Sequence, residues 1–323
     1  MKPNHLPGRR TYWVAAFSLV LWSLGCSKNI TPEPKAVTSS WVANQSYYDG
    51  QKWSEMVVGT MPLVISVPHG GTVEPSNIPD RTCPDATTVR DANTIELARA
   101  IEQEFVKNYG VRPYLVISHI ARKKIDQNRE MEPGTCGNAL MKETWQAYHN
   151  FVDTALALAT RNHGTALFID LHGHGHSVQR LELGYNLTAS EVQDVSLNRN
   201  LATLAAKSSV NNLLQANNQI TFRNMMVGDY GFGTLIRNEG FAAVPSKQDP
   251  YPLSNQPYFS GGYNTRTYTS ANFPKVHGWQ IECNMTGVRD TNGRPLFAAA
   301  FAKAIMQYYA NNTSLRPPFT PLR

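Results

Sequence analysis

Two histidines, His69 and His172, each stand in a glycine-bounded turn at the exit of an apolar run: Leu63-Val64-Ile65-Ser66-Val67-Pro68-His69-Gly70-Gly71 and Ala166-Leu167-Phe168-Ile169-Asp170-Leu171-His172-Gly173. A catalytic zinc takes three protein ligands from His and carboxylate and leaves one position to water, so this pair supplies two of the three. Asp91 is the favoured third, because a short carboxylate at a helix entrance can face the ends of strands. Glu74 and Glu96 are substitutes for it, and a plain helix cap or a charge favoured by the helix dipole is the alternative role for Asp91. Backbone-bonded turn histidines are the alternative for the pair. Zinc suits two histidines and one carboxylate, and manganese, cobalt or iron could fill the same set.

Other residue types nearby fit the same chemistry. Glu282 is a lone carboxylate in the apolar run Val276-His277-Gly278-Trp279-Gln280-Ile281-Glu282-Cys283, and burial there should raise its pKa into the range of a general base. A core carboxylate paired with an arginine is the plain alternative. Asp170 precedes His172 by two residues, shares its strand face and can orient its ring. His174 and His176 are candidate outer donors; a His-x-His-x-His run can also bind metal alone, but strand spacing aims all three the same way without making a tetrahedron. The stretch Ser118 to Glu130 packs Arg122, Asn128 and Arg129 after a strand, where planar guanidinium forks and an amide can clamp a substrate carboxylate. A surface ion-pair cluster with Asp126 and Glu130 is the competing reading.

The elements that must position these residues alternate between strand and helix patterns. Strands are expected near 63–67, 113–118, 165–171, 180–186 and 276–283. Helices are expected from a capping box at Asn93 and Glu96, over 142–161 ending at Gly164, and after Pro295 to Tyr309. Alternation of this kind implies an α/β domain with helices on both faces of a sheet, and ligands in such sheets gather beyond the carboxyl ends of the strands. Residues 228–275, rich in Gly, Pro, Tyr and Asn, read as active-site loops, with one-sided disorder as the alternative. There is no internal repeat, no nucleotide or flavin fingerprint and no Gly-x-Ser-x-Gly elbow.

The ends and the composition bound the setting. Lys2, Arg9 and Arg10 precede an apolar stretch from Tyr12 to Leu24 and then Gly25-Cys26, the pattern of an export signal over residues 1–25 with lipidation of Cys26. An ordinary secretory signal or an uncleaved anchor are the other readings; all place the body outside the cytoplasm. The expectation is a cell-envelope lipoprotein, periplasmic-side or at the outer membrane, touching the membrane through its anchor. Residues 26–52 read as linker, 53–312 as the hydrolase domain and 313–323 as a tail. The formal net charge is +6, and residues 1–25 carry three of the 30 Lys and Arg and no acid, so the remainder is +3 without a basic run, which argues against a nucleic-acid partner. Cys83 and Cys136 can pair in an oxidising compartment or remain two exposed thiols, while Cys283 should be a buried free thiol.

Together, Pro68-His69-Gly70-Gly71, Asp91 before a helix, Arg122 with Asp126-Gln127-Asn128-Arg129, Asp170-Leu171-His172-Gly173 and Gln280-Ile281-Glu282 resemble the N-formylglutamate amidohydrolase family, over about residues 60–290. That family is similar in fold to zinc carboxypeptidases and N-acyl-amino-acid deacylases. The resemblance implies a three-layer αβα domain with a mixed, mostly parallel central sheet, zinc carboxypeptidase-like or phosphorylase-hydrolase-like. It implies His69 and His172 as zinc ligands with Asp91 as the third, Asn128 and Arg129 on the substrate carboxylate, Arg122 on the scissile carbonyl, Glu282 as base, and Tyr263 in the place of a mobile carboxypeptidase tyrosine. The carboxypeptidase pattern has a glutamate three residues after the first histidine, where Thr72 stands here. The activity so implied is hydrolysis of a linear amide of an N-acyl amino acid or small peptide with a free carboxylate. A zinc carboxypeptidase or peptidoglycan amidase is the alternative enzyme, and a non-catalytic lipoprotein binding peptide or carbohydrate the alternative of another class.

Overall fold

The computed structural model describes residues 41–317 and 319. The expected export signal, Cys26 and the first part of the linker lie outside the described residues. Among those described, no helix is long and apolar enough to cross a membrane.

The chain runs β1 (Ser46–Tyr48), β2 (Ser54–Val57), β3 (Leu63–Val67), α1 (Thr94–Tyr109), β4 (Tyr114–Ser118), α2 (Met131–Thr135), α3 (Ala139–His163), β5 (Ala166–Gly173) and β6 (Leu181–Gly184). It continues through short helices α4 (Ala189–Ser196), α5 (Leu201–Lys207), α6 (Asn211–Ala216), α7 (Phe222–Val227) and α8 (Phe232–Asn238), then β7 (Ala243–Val244), α9 (Tyr263–Tyr268), β8 (Val276–Cys283) and α10 (Gly293–Asn312). The strands form one eight-stranded sheet in the order β1-β2-β4-β3-β5-β8-β6-β7. β4, β3, β5 and β8 are parallel, whereas β1 against β2, β2 against β4 and β6 against β8 are antiparallel, so the α/β sheet expected from the alternation is present, mixed and mostly parallel as the resemblance implies. The sheet also begins before residue 53: β1 pairs with β2, and Trp41 packs edge-on to Tyr47 and Phe151, inside the stretch read as linker.

Chain direction explains where the site falls. The β3-α1-β4 crossover moves to one side of β3, and the β4-α3-β5 crossover returns past it to the other. Right-handed crossovers running in opposite directions put α1 and α3 on opposite faces, and the crevice between β3 and β5 is where a ligand site belongs. Both strands are interior and covered on both sides, which is why they read as unbroken apolar runs.

Each face is filled by alternate residues of the same strands. Leu63, Ile65, Leu167, Ile169, Leu171, Trp279 and Ile281 join the core under α1 and α10. Val64, Val116, Ala166, Phe168 and Val276 pack beneath Tyr148, Val152, Ala155 and Ala159 of α3. On this second face the apolar filling stops part-way along the strands, and two polar rows follow in register. Ser66, Asp170 and Gln280 are neighbours across β3, β5 and β8; one step nearer the strand ends, His172, Glu282 and Glu182 are neighbours across β5, β8 and β6.

Local details differ from expectation at α1. Asn93 makes no side-chain cap and sits in the left-handed region at φ 67°, so there is no capping box; the Thr94 hydroxyl instead donates to the Asp91 carbonyl at 2.9 Å. Cys83 and Cys136 form a disulfide, joining the loop that leads to Asp91 to the end of α2, and Cys283 is a buried free thiol facing the α1 side. Gly71 is required by close approach: a Cβ there would lie 2.3 Å from the Ile120 carbonyl, beside the Val73–Ile120 bridge that prolongs the β3–β4 pairing.

Candidate metal centre

Beyond β3 the chain turns at His69, and the Asp91 backbone N–H donates to the His69 carbonyl at 3.1 Å, bringing the loop before α1 back over the strand exit. His172 arrives from the last turn of β5. The result is a triangle of facing atoms: His69 Nδ1 and His172 Nδ1 are 3.1 Å apart, Asp91 Oδ2 is 3.4 Å from the first and 3.0 Å from the second, and all three residues are buried.

The far sides of both rings fix what these atoms are. His69 Nε2 lies 2.6 Å from Asp126 Oδ1, and His172 Nε2 lies 3.0 Å from Asp170 Oδ2. Ionised carboxylates only accept, so each Nε2 carries a proton, and Nδ1 is the nitrogen that each ring turns to Asp91 and could offer to a cation as a lone pair. Two ring nitrogens and a carboxylate oxygen thus converge on one point, and either a proton on Nδ1 or a metal ion can sit among them. A tetrahedral zinc with bonds of about 2.0–2.1 Å has ligand–ligand edges of roughly 3.3 Å, and the three distances here bracket that value. Carboxylates behind the ligating rings are the usual outer support of such a site. The residues present therefore fit a divalent ion of the zinc class. Neither proposed substitute is near: Glu96 is exposed on α1, and Glu74 is exposed and pairs with Lys123.

The supporting shell is densely connected. Asp170 Oδ1 accepts from Ser66 Oγ at 2.8 Å and from Asn264 Nδ2 at 3.3 Å. Asp126 receives Arg122 Nε at 3.2 Å and has Arg81 at 3.7 Å and Arg129 at 3.8 Å. Burial alone would raise the Asp126 carboxyl, but the charge and hydrogen bond of His69, with Arg122 and Arg81, hold it well below the usual range. Asp91 is likewise penalised by burial and held down by His172 and His69. For His172, burial favours the neutral ring, while Asp170, Asp91 and Glu282 together pull it strongly towards positive charge.

Glu282 lies one strand from His172 in direct register and is buried, 5 % exposed. Burial raises its pKa to about 8; His172 and Arg122 pull it down, and Asp91 and Glu182 push it further up. Gln280 Nε2 donates to Glu282 Oε1 at 2.8 Å, so one carboxylate oxygen is engaged with a neighbour.

These groups border one cavity of about 860 Å3, lined by the residues expected as ligands, base and substrate contacts: His69, Asp91, Arg122, Asn128, Arg129, His172, Tyr263 and Glu282. Arg122 donates to the carboxylates of Asp126 and Asp91 and to the Val89 carbonyl. Asn128 is braced in the wall, its Oδ1 accepting from Asn264 N at 2.8 Å and its Nδ2 lying 3.0 Å from His172 Nε2. Arg129 stands at the mouth with its side chain 44 % exposed. Tyr263 opens α9 and packs against the rings of Trp145 and His149. Of the 228–275 stretch read as active-site loops, only 259–266 supplies part of the wall; Phe232–Asn238 is helix α8 and Ala243–Val244 is strand β7, both away from the cavity.

Sequence reasoning gave Asp126 no role of its own, placing it in a surface ion-pair cluster or in the Asp126-Gln127-Asn128-Arg129 motif, yet it is fully buried behind His69; that motif was the available signal. Ser66, Asn264 and Glu182 had none, because their roles follow from register and loop path.

No protein-family model matches the chain, and no curated protein matches it. Among solved structures it is similar to N-formylglutamate amidohydrolase from Ralstonia eutropha JMP134, with a TM-score of 0.48 and 12% identity over 79% of this chain and 97% of that one. It is also similar to a gene product from Agrobacterium tumefaciens, with a TM-score of 0.42 and 11% identity over 76% of this chain and 91% of that one.

Proposed function

We propose that this chain is a metal-dependent amidohydrolase, cleaving the linear amide of an N-acyl amino acid or small peptide that carries a free carboxylate. The observation that carries the reading is the triangle of His69 Nδ1, His172 Nδ1 and Asp91 Oδ2, with a desolvated Glu282 one strand away. A divalent ion held by that triangle, zinc for preference, would supply Lewis acidity and acidify a water towards neutrality.

The chain's own residues supply the rest. Asp126 and Asp170 lock both imidazoles in the tautomer that leaves Nδ1 free. Glu282 takes the proton from the attacking water and returns it to the leaving amine; a carboxyl raised to about 8 is basic enough for the first task and acidic enough for the second. Arg122, fixed by two carboxylates, stabilises negative charge as it develops on the carbonyl oxygen. Arg129 and Asn128 hold the substrate carboxylate, with Tyr263 beside them in the wall.

The setting we propose is extracytoplasmic, with lipid on Cys26, on the strength of the basic, apolar and Gly25-Cys26 pattern at the start of the sequence. Radiolabelled palmitate incorporated by the wild type and lost in Cys26→Ser would support it; equal labelling of both would sink it.

The activity is tested on the purified full-length chain. Metal content is measured beside amine release from N-formyl and N-acetyl amino acids and dipeptides, for the wild type and for His69→Ala/His172→Ala. Metal and amine release in the wild type, both lost in the double variant, is the expected result. Metal with no amine release across the panel would favour a binding module, and a wild type that takes up no divalent metal would sink the reading.

A further inference from the structure

The His-Gly-His-Gly-His run contributes only its first histidine to the metal triangle. The second and third meet elsewhere: His174, His176 and Glu182 place one ligand atom each within 4.8 Å of one another. We propose that these three residues form a second, separate site for a divalent cation of the zinc class.

Glu182 is fully buried on β6, its register partner on β8 is Glu282, a second buried acidic side chain, and among the described residues no lysine or arginine pairs with it. The side chain facing it is His176, whose Nδ1 lies 2.8 Å from Glu182 Oε1 and whose side chain is 23 % exposed on the cavity wall. Asp126, by contrast, has Arg81 and Arg122 beside it. A buried carboxylate next to a second one is unfavourable unless positive charge is supplied, and a cation shared with the two histidines supplies it.

The geometry is that of supported ligands. His174 Nε2 donates to the Arg180 carbonyl at 2.8 Å, so its Nδ1 is the lone-pair nitrogen, and it is met by the His176 backbone N–H at 3.1 Å. A backbone carbonyl on the far nitrogen is a common outer partner of a ligating histidine, and the ion would take over the lone pair that the N–H now meets. The rings of His174 and His176 are tilted 36° with centroids 5.0 Å apart. Glu182 Oε2 accepts from Phe259 N at 2.8 Å, and the Phe259 ring stacks on His176 at 4.7 Å, so the carboxylate is held from a second loop. Two imidazoles and one carboxylate suit zinc, cobalt or nickel, not the all-oxygen shells of calcium or magnesium.

The two sites are not a bridged pair. β6 lies two strands from β5, roughly 9.6 Å at the backbone by ordinary strand spacing, against the ~3.5–4 Å between metals of a shared site. Glu282 stands on the strand between them. An ion at the second site would tie the turn after β5 to β6 and, through Glu182, to the loop carrying Phe259, stiffening one wall of the cavity.

The test counts ions and does not depend on hydrolysis. The untagged full-length chain is stripped with chelator, loaded with Co2+, dialysed and assayed for bound metal and visible absorption, with circular dichroism for folding. Wild type should hold about two equivalents, and His69→Ala/His172→Ala about one. His176→Asn, which keeps a hydrogen-bond donor towards Glu182 without an imidazole, should also hold about one. In the wild type, diethylpyrocarbonate should label His176 in the stripped protein and not after the second equivalent is bound, a readout independent of any variant's folding. One equivalent in wild type that is lost in His69→Ala/His172→Ala, two in folded His176→Asn, or unchanged His176 labelling overturns the second site. If His176→Asn loses an equivalent while His69→Ala/His172→Ala loses none, the second site stands and the proposed hydrolase centre falls.

Discussion

On the face covered by α1 and α10, Leu167, Ile169 and Leu171 of β5 and Trp279, Ile281 and Cys283 of β8 carry the dry core to the strand ends. On the α3 face the same two strands change after Phe168 and Gly278, presenting Asp170, His172, Gln280 and Glu282 instead. One set of strands thus serves two purposes through its two-residue period: odd positions hold the sheet together, and even positions build a polar site once α3 no longer covers them. The difference teaches that the site is anchored by packing it does not touch. His172 follows Leu171 on β5 and Glu282 stands between Ile281 and Cys283 on β8, all three buried in the opposite core, which holds both polar side chains closely enough for chemistry.

The largest effect that could break this comparison is expected in the polar half. Glu282→Gln should lower turnover by about 10^2–10^4-fold while retaining metal and fold, since it removes proton transfer and leaves the isosteric shape. Turnover within about tenfold of wild type, at equal metal content, would remove Glu282 from the chemistry and leave the polar rows as structure only.

Neighbouring residues on the two faces should separate next. Trp279→Ala takes a fully buried indole from the α1-side core, where it packs on Tyr185, Phe232 and Tyr308, and should cost about 3–5 kcal/mol in denaturant unfolding. Gln280→Ala, one residue on and facing the site, should cost about 1 kcal/mol, one hydrogen bond to Glu282. Equal losses would mean that the two faces are not energetically distinct.

A smaller effect concerns a titrating group on the dry face. His277 is buried against Tyr308, and burial lowers its pKa from 6.5 to about 3. Between those values the unfolded chain binds the proton and the folded one does not, so stability is fully present above pH 6.5 and falls as pH drops towards 3, by at most about 1.4 kcal/mol per pH unit. His277→Leu should flatten that part of the acid limb in urea unfolding between pH 6.5 and 4. An unchanged slope would show that His277 is not the group responsible.

The same division explains what could be read in the sequence. β3, β5 and β8 were legible because interior parallel strands need apolar residues on both faces, and His69, His172 and Glu282 stood out as the polar interruptions of those runs. β2 was not, because Ser54 and Glu55 break its pattern although the strand is buried; Glu55 is compensated by Arg99 and His119, which arrive from α1 and the end of β4. The short helices α4–α7 carry too few turns each for a period to emerge. At Asn93 the residue types of a capping box were present, but the path that brings Asp91 over His69 requires a left-handed turn there, and tertiary need overrode local preference. Asp126 looked like one more surface charge because nothing local to it announces that His69 lies opposite.

The smallest effect sharpens the boundary of the polar half at the cavity mouth. Arg129 is half-exposed and its ion pair with Asp126 is long, 3.8 Å, so little of the fold rests on it. If it clamps the substrate carboxylate, Arg129→Ala should raise KM about tenfold, roughly 1.4 kcal/mol of binding, with kcat and metal content unchanged. Arg129→Lys should recover only part of the loss, because a lysine offers a point charge where the carboxylate wants a planar fork. A fall in kcat at constant KM would instead place Arg129 inside the reacting constellation, acting through Asp126 on the His69 ring, and would move the boundary between binding mouth and metal centre outward by one residue.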